Sequence, residues 1–253
     1  CAGGSNAGNA CTTGSDCPGG SCRVDVHSHT LSVDPINPQT VAAYSSGGPL
    51  SARKVYRTTT AGSSWSAFSP SIASVFTTAF APSSGGSSSP VAFAGTCGNG
   101  RIWRTVDTGA NWTQLTAAPN TSRCFTSFAF ESCSGTTCSM YATLDGTTDG
   151  AGGHVFFSSN SGTSWVDASG ALPTDVPIRD IVIDPSNSNI VYAASDLGVY
   201  KGTRSGSAPN YSWSWCAYNA GLPKTASVTR LEVHKDTGLL RAFVFGRSAW
   251  ENQ

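Results

Sequence analysis

The sequence predicts an all-β chain folded as a β-propeller of about five four-stranded blades, closed by an N-terminal strand and containing disulfides. Three observations carry this expectation: a composition that favours strands and turns, a repeat with a period near fifty residues, and an aromatic residue that returns once per repeat. Charged residues make up only 12% of the 253 residues, about half the usual share, and Gly, Ser, Thr and Asn fill the deficit. Those residues suit turns and short strands. No stretch supplies long and charged side chains at helical spacing, so exposed amphipathic helices are not expected. Hydrophobic residues reach 39%, enough for a packed core.

The repeat is clearest in two places. Asp184-Pro185-Ser-Asn-Ser-Asn-Ile-Val-Tyr192 follows the apolar run Ile181-Val-Ile183, and Asp34-Pro35-Ile-Asn-Pro-Gln-Thr-Val-Ala-Ala-Tyr44 follows Leu31-Ser-Val33. Each reads as a strand, a Pro/Asn turn and a second strand. Weaker copies are Phe80-Ala-Pro82, Phe130-Glu131-Ser132 and Val233-His234-Lys235. With Pro35, Pro82, Ser132, Pro185 and Lys235 as markers, the spacings are 47, 50, 53 and 50. A third strand in each unit carries Tyr56, Trp103, Phe156, Tyr200 or Trp250. Four short strands per fifty residues is the pattern of propeller blades.

After the third strand come Thr58-Thr-Thr60-Ala-Gly62-Ser-Ser-Trp65, Thr105-Val-Asp107-Thr-Gly109-Ala-Asn-Trp112 and Ser158-Ser-Asn160-Ser-Gly162-Thr-Ser-Trp165. These resemble the Asp-box, or bacterial neuraminidase repeat, Ser/Thr-x-Asp-x-Gly-x-x-Trp. The match is full at Asp107, good at Asn160 and degenerate at Thr60, and in the fourth unit an insertion around Ser205-Gly206 breaks it. The resemblance covers residues 24–253 and points to the superfamily of sortilin-type receptors, photosystem assembly factors, xyloglucanases and sialidases. It implies a turn between third and fourth strands in which Asp or Asn accepts backbone N–H bonds, Gly takes positive φ, and Trp packs beneath. The box is structural in that superfamily, so it speaks to fold and not to function. Residues 1–22 read as a separate Cys-rich segment and 23–253 as the propeller. Cys11 to Cys22 resembles a short Cys-rich repeat of exported myxobacterial proteins.

Five blades need a closing strand, since the fifth unit stops after its third, and Arg23-Val-Asp-Val26 is expected to supply it. A piece of a larger propeller is the alternative. Nine cysteines point to an oxidising compartment, extracellular or at the cell surface. Zinc is the competing reading, because His27 and His29 follow the pair Cys17 and Cys22, but no second pair completes a site. Bridges are expected among Cys11, Cys17, Cys22, Cys97, Cys124, Cys133, Cys138 and Cys216, with Cys133 and Cys138 closing a hairpin. A chain that begins with Cys1 resembles a bacterial lipoprotein, whose N-terminal Cys carries lipid. In the alternative, Cys1 pairs within its own segment and another thiol stays free. No signal peptide is present, so an exported protein would be in its mature form.

Fifteen basic residues balance fifteen acidic ones, which gives no positive field for a nucleic acid. No apolar run reaches the length of a membrane helix, which leaves a lipid on Cys1 as the membrane contact. Asp145–Gly153 lacks the alternating ligands of a calcium loop and reads as a glycine hairpin, and no cofactor or metal is expected. Three sequons, at Asn111, Asn120 and Asn210, matter only in a glycosylating host.

Propellers bind ligands over the channel mouth, at the start of each innermost strand. Aligning the five units places His29, Phe76, Thr126, Arg179 and Thr229 at one equivalent position, and Thr30, Thr77, Ser127, Asp180 and Arg230 at the next. His29, Arg179, Asp180 and Arg230, with Glu232 nearby, form the candidate polar site. In the plainer alternative, Arg179 and Asp180 pair across blades and seal the channel. Glycoside hydrolysis needs two carboxylates facing each other about 5 to 9.5 Å apart. Asp145, Asp149, Asp175, Asp180, Asp196 and Glu232 are available, and no two occupy inner-strand starts of opposed blades. The resemblance to sialidases would also require an Arg-Ile-Pro motif, whereas Arg101-Ile102 is followed by Trp103. Tyr211, Trp213 and Trp215 either stack on a sugar or protein partner or belong to the core. The expected function is a binding or structural module for a protein, a glycan or copies of itself, with a glycan hydrolase as the rival.

Overall fold

A computed structural model describes residues 31–44, 53–83, 88–98, 100–119, 122–146 and 153–252. Among the described residues nineteen strands form five antiparallel sheets, and the chain completes each sheet before starting the next. The first blade is β1 (Leu31–Val33), β2 (Val41–Tyr44), β3 (Val55–Thr58) and β4 (Ser66–Ala67). The second is β5 (Val75–Phe80), β6 (Ala92–Thr96), β7 (Ile102–Thr105) and β8 (Thr113–Leu115). The third is β9 (Phe125–Ser134), β10 (Thr137–Leu144), β11 (Val155–Ser158) and β12 (Val166–Asp167). The fourth is β13 (Ile178–Ile183), β14 (Ile190–Ser195), β15 (Gly198–Ser207) and β16 (Asn210–Ala217). The fifth has β17 (Val228–Val233), β18 (Leu240–Val244) and β19 (Ser248–Asn252) among the described residues. The chain is therefore a five-bladed propeller. Arg23–Val26, the expected closing strand, lies outside the described residues.

One register runs through all five blades. Leu31, Thr78, Phe128, Ile181 and Leu231 on the inner strands each face an alanine on the second strand: Ala43, Ala94, Ala142, Ala193 and Ala242. Each alanine in turn faces the aromatic residue of the third strand, Tyr56, Trp103, Phe156, Tyr200 or Trp250. A large ring beside a methyl group is the size alternation that lets neighbouring sheets interdigitate. The inner strands of blades two to five share one irregularity. The register shifts between Val75 and Thr77, between Phe125 and Ser127, between Ile178 and Asp180, and between Val228 and Arg230. The unpaired residues are Phe76, Thr126, Arg179 and Thr229. A bulge of this kind re-aims side chains.

At each of the four junctions between consecutive blades, the apolar forward face of one blade is buried under the rear face of the next. Four clusters fill the junctions between consecutive blades, around Phe68, Phe93, Phe157 and Tyr192. Disulfide Cys97–Cys124 ties blade two to the entry of blade three, and Cys133–Cys138 closes the β9–β10 hairpin as expected. Cys216, expected in a bridge, is an exposed free thiol; its register partner across the hairpin is Lys201, and no cysteine faces it among the described residues. Cys1, Cys11, Cys17 and Cys22 lie outside the described residues.

The turns after the third strands repeat one hydrogen-bond pattern. The hydroxyls of Thr58, Thr105 and Ser158 accept the N–H of Gly62, Gly109 and Gly162 at 3.0, 3.0 and 2.8 Å. The side chains of Thr60, Asp107 and Asn160 accept the N–H of Ser64, Asn111 and Ser164 at 3.1, 2.8 and 2.9 Å. Degenerate Thr60 thus performs the acceptor's role with a hydroxyl. Blade four replaces the turn with a longer hairpin, as β15 and β16 stay paired to Ser207 and Asn210.

Two of these glycines separate conformation from packing. Gly62 (φ 91°) has open space where a Cβ would point, whereas a Cβ on Gly109 (φ 89°) would collide with the Phe68 ring of the preceding blade. Gly62→Ala should cost about 1–2 kcal/mol for its left-handed backbone alone. Gly109→Ala should cost a further 1–3 kcal/mol or so for overpacking at the blade junction. Urea melts of the two variants check the difference; equal losses would mean that Gly109 does not pack against blade one.

Candidate functional site

The five inner strands surround a cavity of about 1030 Å³, the central channel. Four of the bulged residues and their successors stand around it, as do Leu31, Ser32 and Val33 of the first blade. His29 and Thr30 lie outside the described residues. The bulge explains why residues aligned by sequence meet here: it turns Phe76, Thr126, Arg179 and Thr229 out of the pleat at the same height in each blade.

Arg179 and Asp180 do not pair with each other. Arg179 forks onto Asp196 of its own blade, Nε to Oδ1 at 3.1 Å and Nη2 to Oδ2 at 2.8 Å, and Ser227 of blade five donates to the same carboxylate at 2.9 Å. The Arg179 hydrogen bond holds the Asp196 carboxyl below the usual range against the opposing effect of burial, and Asp196 raises Arg179 in return. Asp180 is buried and joins three blades. Its Oδ1 accepts from Ser127 of blade three at 2.6 Å and from the Ile181 N–H at 2.9 Å, and its Oδ2 accepts from the Leu231 N–H of blade five at 2.9 Å. Burial pushes its pKa up, outweighing these hydrogen bonds and the nearby Arg230 charge. Thr126 adds a bond to the Ile178 carbonyl at 2.8 Å. These polar groups are occupied in stitching blades together.

Arg230 and Glu232 are different. Both are exposed, both line the channel on β17, and neither has a hydrogen bond or ion pair among the described residues. They are the part of the expected site that is open to a ligand. Tyr211, Trp213 and Trp215 belong to the blade three–four junction instead. Trp213 is buried with its Nε1 donating to the Tyr141 hydroxyl at 3.1 Å, and Trp215 donates to the Ala168 carbonyl at 2.9 Å. Trp112 makes the matching bond to the Phe68 carbonyl at 2.7 Å, two blade junctions closer to the N-terminus.

Sequence reasoning passed over two arginine sites. Arg204 forks onto Glu131 of blade three at 2.6 and 2.9 Å while lying over the rings of Phe157 and Tyr211. Burial would raise the Glu131 pKa, but hydrogen bonds from Arg204 and Ser188 with the Arg204 charge bring it below the usual range. Arg57 and Arg104 occupy the third strands of blades one and two and donate to the Thr108 and Ser161 carbonyls in the next blade's turn, both at 3.1 Å. Blade four lacks that turn, Phe157 replaces the arginine in blade three, and Arg204 covers it from the opposite side. The signal was available: Arg57-Thr58 and Arg104-Thr105 repeat, and the third copy reads Phe157-Ser158. In the second site, buried Arg123 donates to the Gly153 carbonyl at 2.8 Å beside buried His154. Among the described residues no group of three or more His, Cys, Asp or Glu side chains is placed to hold a metal.

No family model and no curated protein sequence matches the chain. Solved structures do. The GH74 xyloglucanase from Xanthomonas campestris superposes with a TM-score of 0.62 at 15% identity, over 87% of this chain and 36% of its own. A chain of the COPII outer coat vertex gives 0.61 at 13% identity, over 91% and 59%. YCF48 bound to D1 peptide gives 0.50 at 14% identity, over 89% and 66%. At these identities the likeness is one of fold, shared by an enzyme and by proteins of other kinds. The chain spans about a third of the xyloglucanase.

The Asp180 site carries a pH dependence of defined sign. A raised acid pKa means that the associated stability is full below the unfolded value of about 4 and is lost as pH rises through the folded value. Asp196 and Glu131 act in the opposite sense: their contributions are present above about 4 and lost as pH falls through their lowered values. Asp180→Asn removes only the first effect. Its melting temperature relative to wild type should therefore worsen as pH is lowered from about 7 to about 4.5. Thermal melts at both pH values check this, and a difference that stays constant would contradict it.

Proposed function

We propose that the chain is an extracellular or cell-surface propeller that serves as a non-catalytic binding module, taking a protein or glycan against the blade-five wall of its channel. The observation that carries this reading is the division of labour along the inner strands. Arg179, Asp180, Ser127 and Thr126 are consumed by contacts between or within blades, while Arg230 and Glu232 present to the channel a cation and a carboxylate that make no side-chain hydrogen bond among the described residues. Hydrolysis of a glycosidic bond calls for two available carboxylates across the substrate. Asp180 and Glu232 line the channel, and both oxygens of buried Asp180 already accept hydrogen bonds.

Two disulfides in the body support an oxidising compartment. The repeated turn geometry supports placing the chain among the Asp-box propellers. YCF48, of similar fold, was solved with a D1 peptide, which supports a peptide as one class of ligand. A lipid on Cys1 would hold the module at a membrane surface, and a low, balanced charge suits close association with other copies or partners. A GH74 neighbour supports the rival reading, a glycan hydrolase.

Screening on glycan and peptide arrays, followed by titration calorimetry of the strongest hit, tests the proposal. Arg230→Ala and Glu232→Ala should each weaken binding about tenfold, equivalent to roughly 1.4 kcal/mol, with unchanged melting temperature. Release of reducing ends from xyloglucan that Glu232→Gln abolishes would replace the binding module with the hydrolase.

A further inference from the structure

The inner strands place their residues at matching heights around the channel, so its lining can be followed from mouth to far end. Just inside the mouth, Thr77, Ser127, Asp180 and Arg230 share one height, set by their pairing with Gly95, Thr143, Ala194 and Phe243. Two residues further along each strand come Ala79, Ala129, Val182 and Glu232, level with Ser32 of blade one. Val33, Phe80, Phe130, Ile183 and Val233 ring the far end. The channel is therefore polar at its mouth and apolar at its far end, and on β17 alone charge continues beyond the polar part.

Among the described residues, the charged side chains that line the channel are Arg179, Asp180, Arg230 and Glu232. Arg179 is forked onto Asp196, and both oxygens of Asp180 accept hydrogen bonds. Arg230 lies within electrostatic reach of Asp180, but burial favours the neutral form of that carboxyl. Glu232 faces Arg241 on β18, and the Arg241 guanidinium donates to Glu251. A cation near the mouth and an anion deeper in thus remain as the charges a ligand can meet. They stand two residues apart on the same face of one strand, which separates their Cα atoms by about 7 Å. At the depth of Glu232 the rest of the wall is small and mostly apolar, with Ala79, Ala129 and Val182.

This order of charges suits a ligand of the opposite order: an anion toward the mouth, a cation about 7 Å further in, and an apolar stem between them. A lysine at the carboxyl end of a polypeptide has that form. Extended, its stem holds the α-carboxylate and the ε-ammonium about 7 Å apart. The stem can lie along alanine and valine while the ammonium reaches a carboxylate. Channel polarity also sets the direction in which the main chain leaves. The Cα of such a lysine sits at the height of Arg230, so the rest of the peptide passes out through the polar mouth, beside Thr126 and Thr229. An amino-terminal acidic residue carries the same two charges. Its main chain, however, would attach at the inner end and run past Phe80, Phe130 and Ile183, which offer its amides no polar side chain.

We propose that the channel binds the carboxyl-terminal lysine of a polypeptide, with the carboxylate on Arg230 and the ammonium on Glu232. The proposal rests on the binding-module reading and narrows it to one ligand class. NMR titration of the full chain with Nα-acetyl-lysine tests it against two controls that each lack one charge, Nα-acetyl-lysinamide and Nα-acetyl-norleucine. Acetyl-lysine should bind about tenfold more tightly than either control. Arg230→Gln should remove the preference over the amide, and Glu232→Gln the preference over norleucine, each leaving the other preference in place. Equal binding of the three compounds, or no binding of acetyl-lysine, would overturn the proposal. A different array ligand that still depends on Arg230 or Glu232 would then keep the binding module and discard the lysine. Peptides ending in lysine should bind at least as tightly as acetyl-lysine. Their failure where acetyl-lysine succeeds would replace the polypeptide with a free ω-amino acid.

Discussion

A blade of this protein is a sheet with two apolar faces, and it is stable only when both are covered. That constraint orders the rest of the structure. The second-strand alanines and third-strand aromatics alternate so that one blade's ring fits beside its neighbour's methyl group. The inner strands bring Phe128, Ile181 and Leu231 to the rear faces, where the forward faces of the preceding blades bury them. Burial of this kind is non-directional. It holds blades together without fixing their mutual height.

Height is set by polar bonds between blades, each joining a side chain on one sheet to the backbone or side chain of another. Trp112 and Trp215 reach the Phe68 and Ala168 carbonyls, Arg57 and Arg104 reach the turn of the following blade, and Asp180 ties three inner strands. Where blade four loses its turn, the arginine contact reverses direction, and Arg204 with Glu131 restores the fixed height. This stitching uses up most of the channel's polar side chains. The chemistry left for a ligand is therefore concentrated on β17.

Much of this was legible in the sequence because a repeat samples the same physics several times. The spacings of the repeat markers equal those of Leu31, Thr78, Phe128, Ile181 and Leu231, and all five third-strand aromatics share one register. The alignment also brought Arg179 and Asp180 to the channel, but not their partners. Asp196 lies sixteen residues beyond Asp180 and the Leu231 amide on another blade, and only the folded geometry brings them there. Trp213 read as core, with stacking on a ligand left open, because hydrophobicity does not say whether a neighbouring sheet covers a ring. Leu31 looks like Leu231 in sequence, and its exposure depends on what lies behind it.

If blades share their stability through their junctions, they should unfold together, and fluorotryptophan NMR through a urea titration measures whether they do. The seven tryptophans report on different places, with Trp112 at the blade one–two junction and Trp213 and Trp215 at the three–four junction. Coupled junctions predict that the native resonances of Trp112, Trp213 and Trp215 disappear at one urea concentration. Well-separated midpoints for Trp112 and Trp213 would show blades that unfold independently, and would contradict the account.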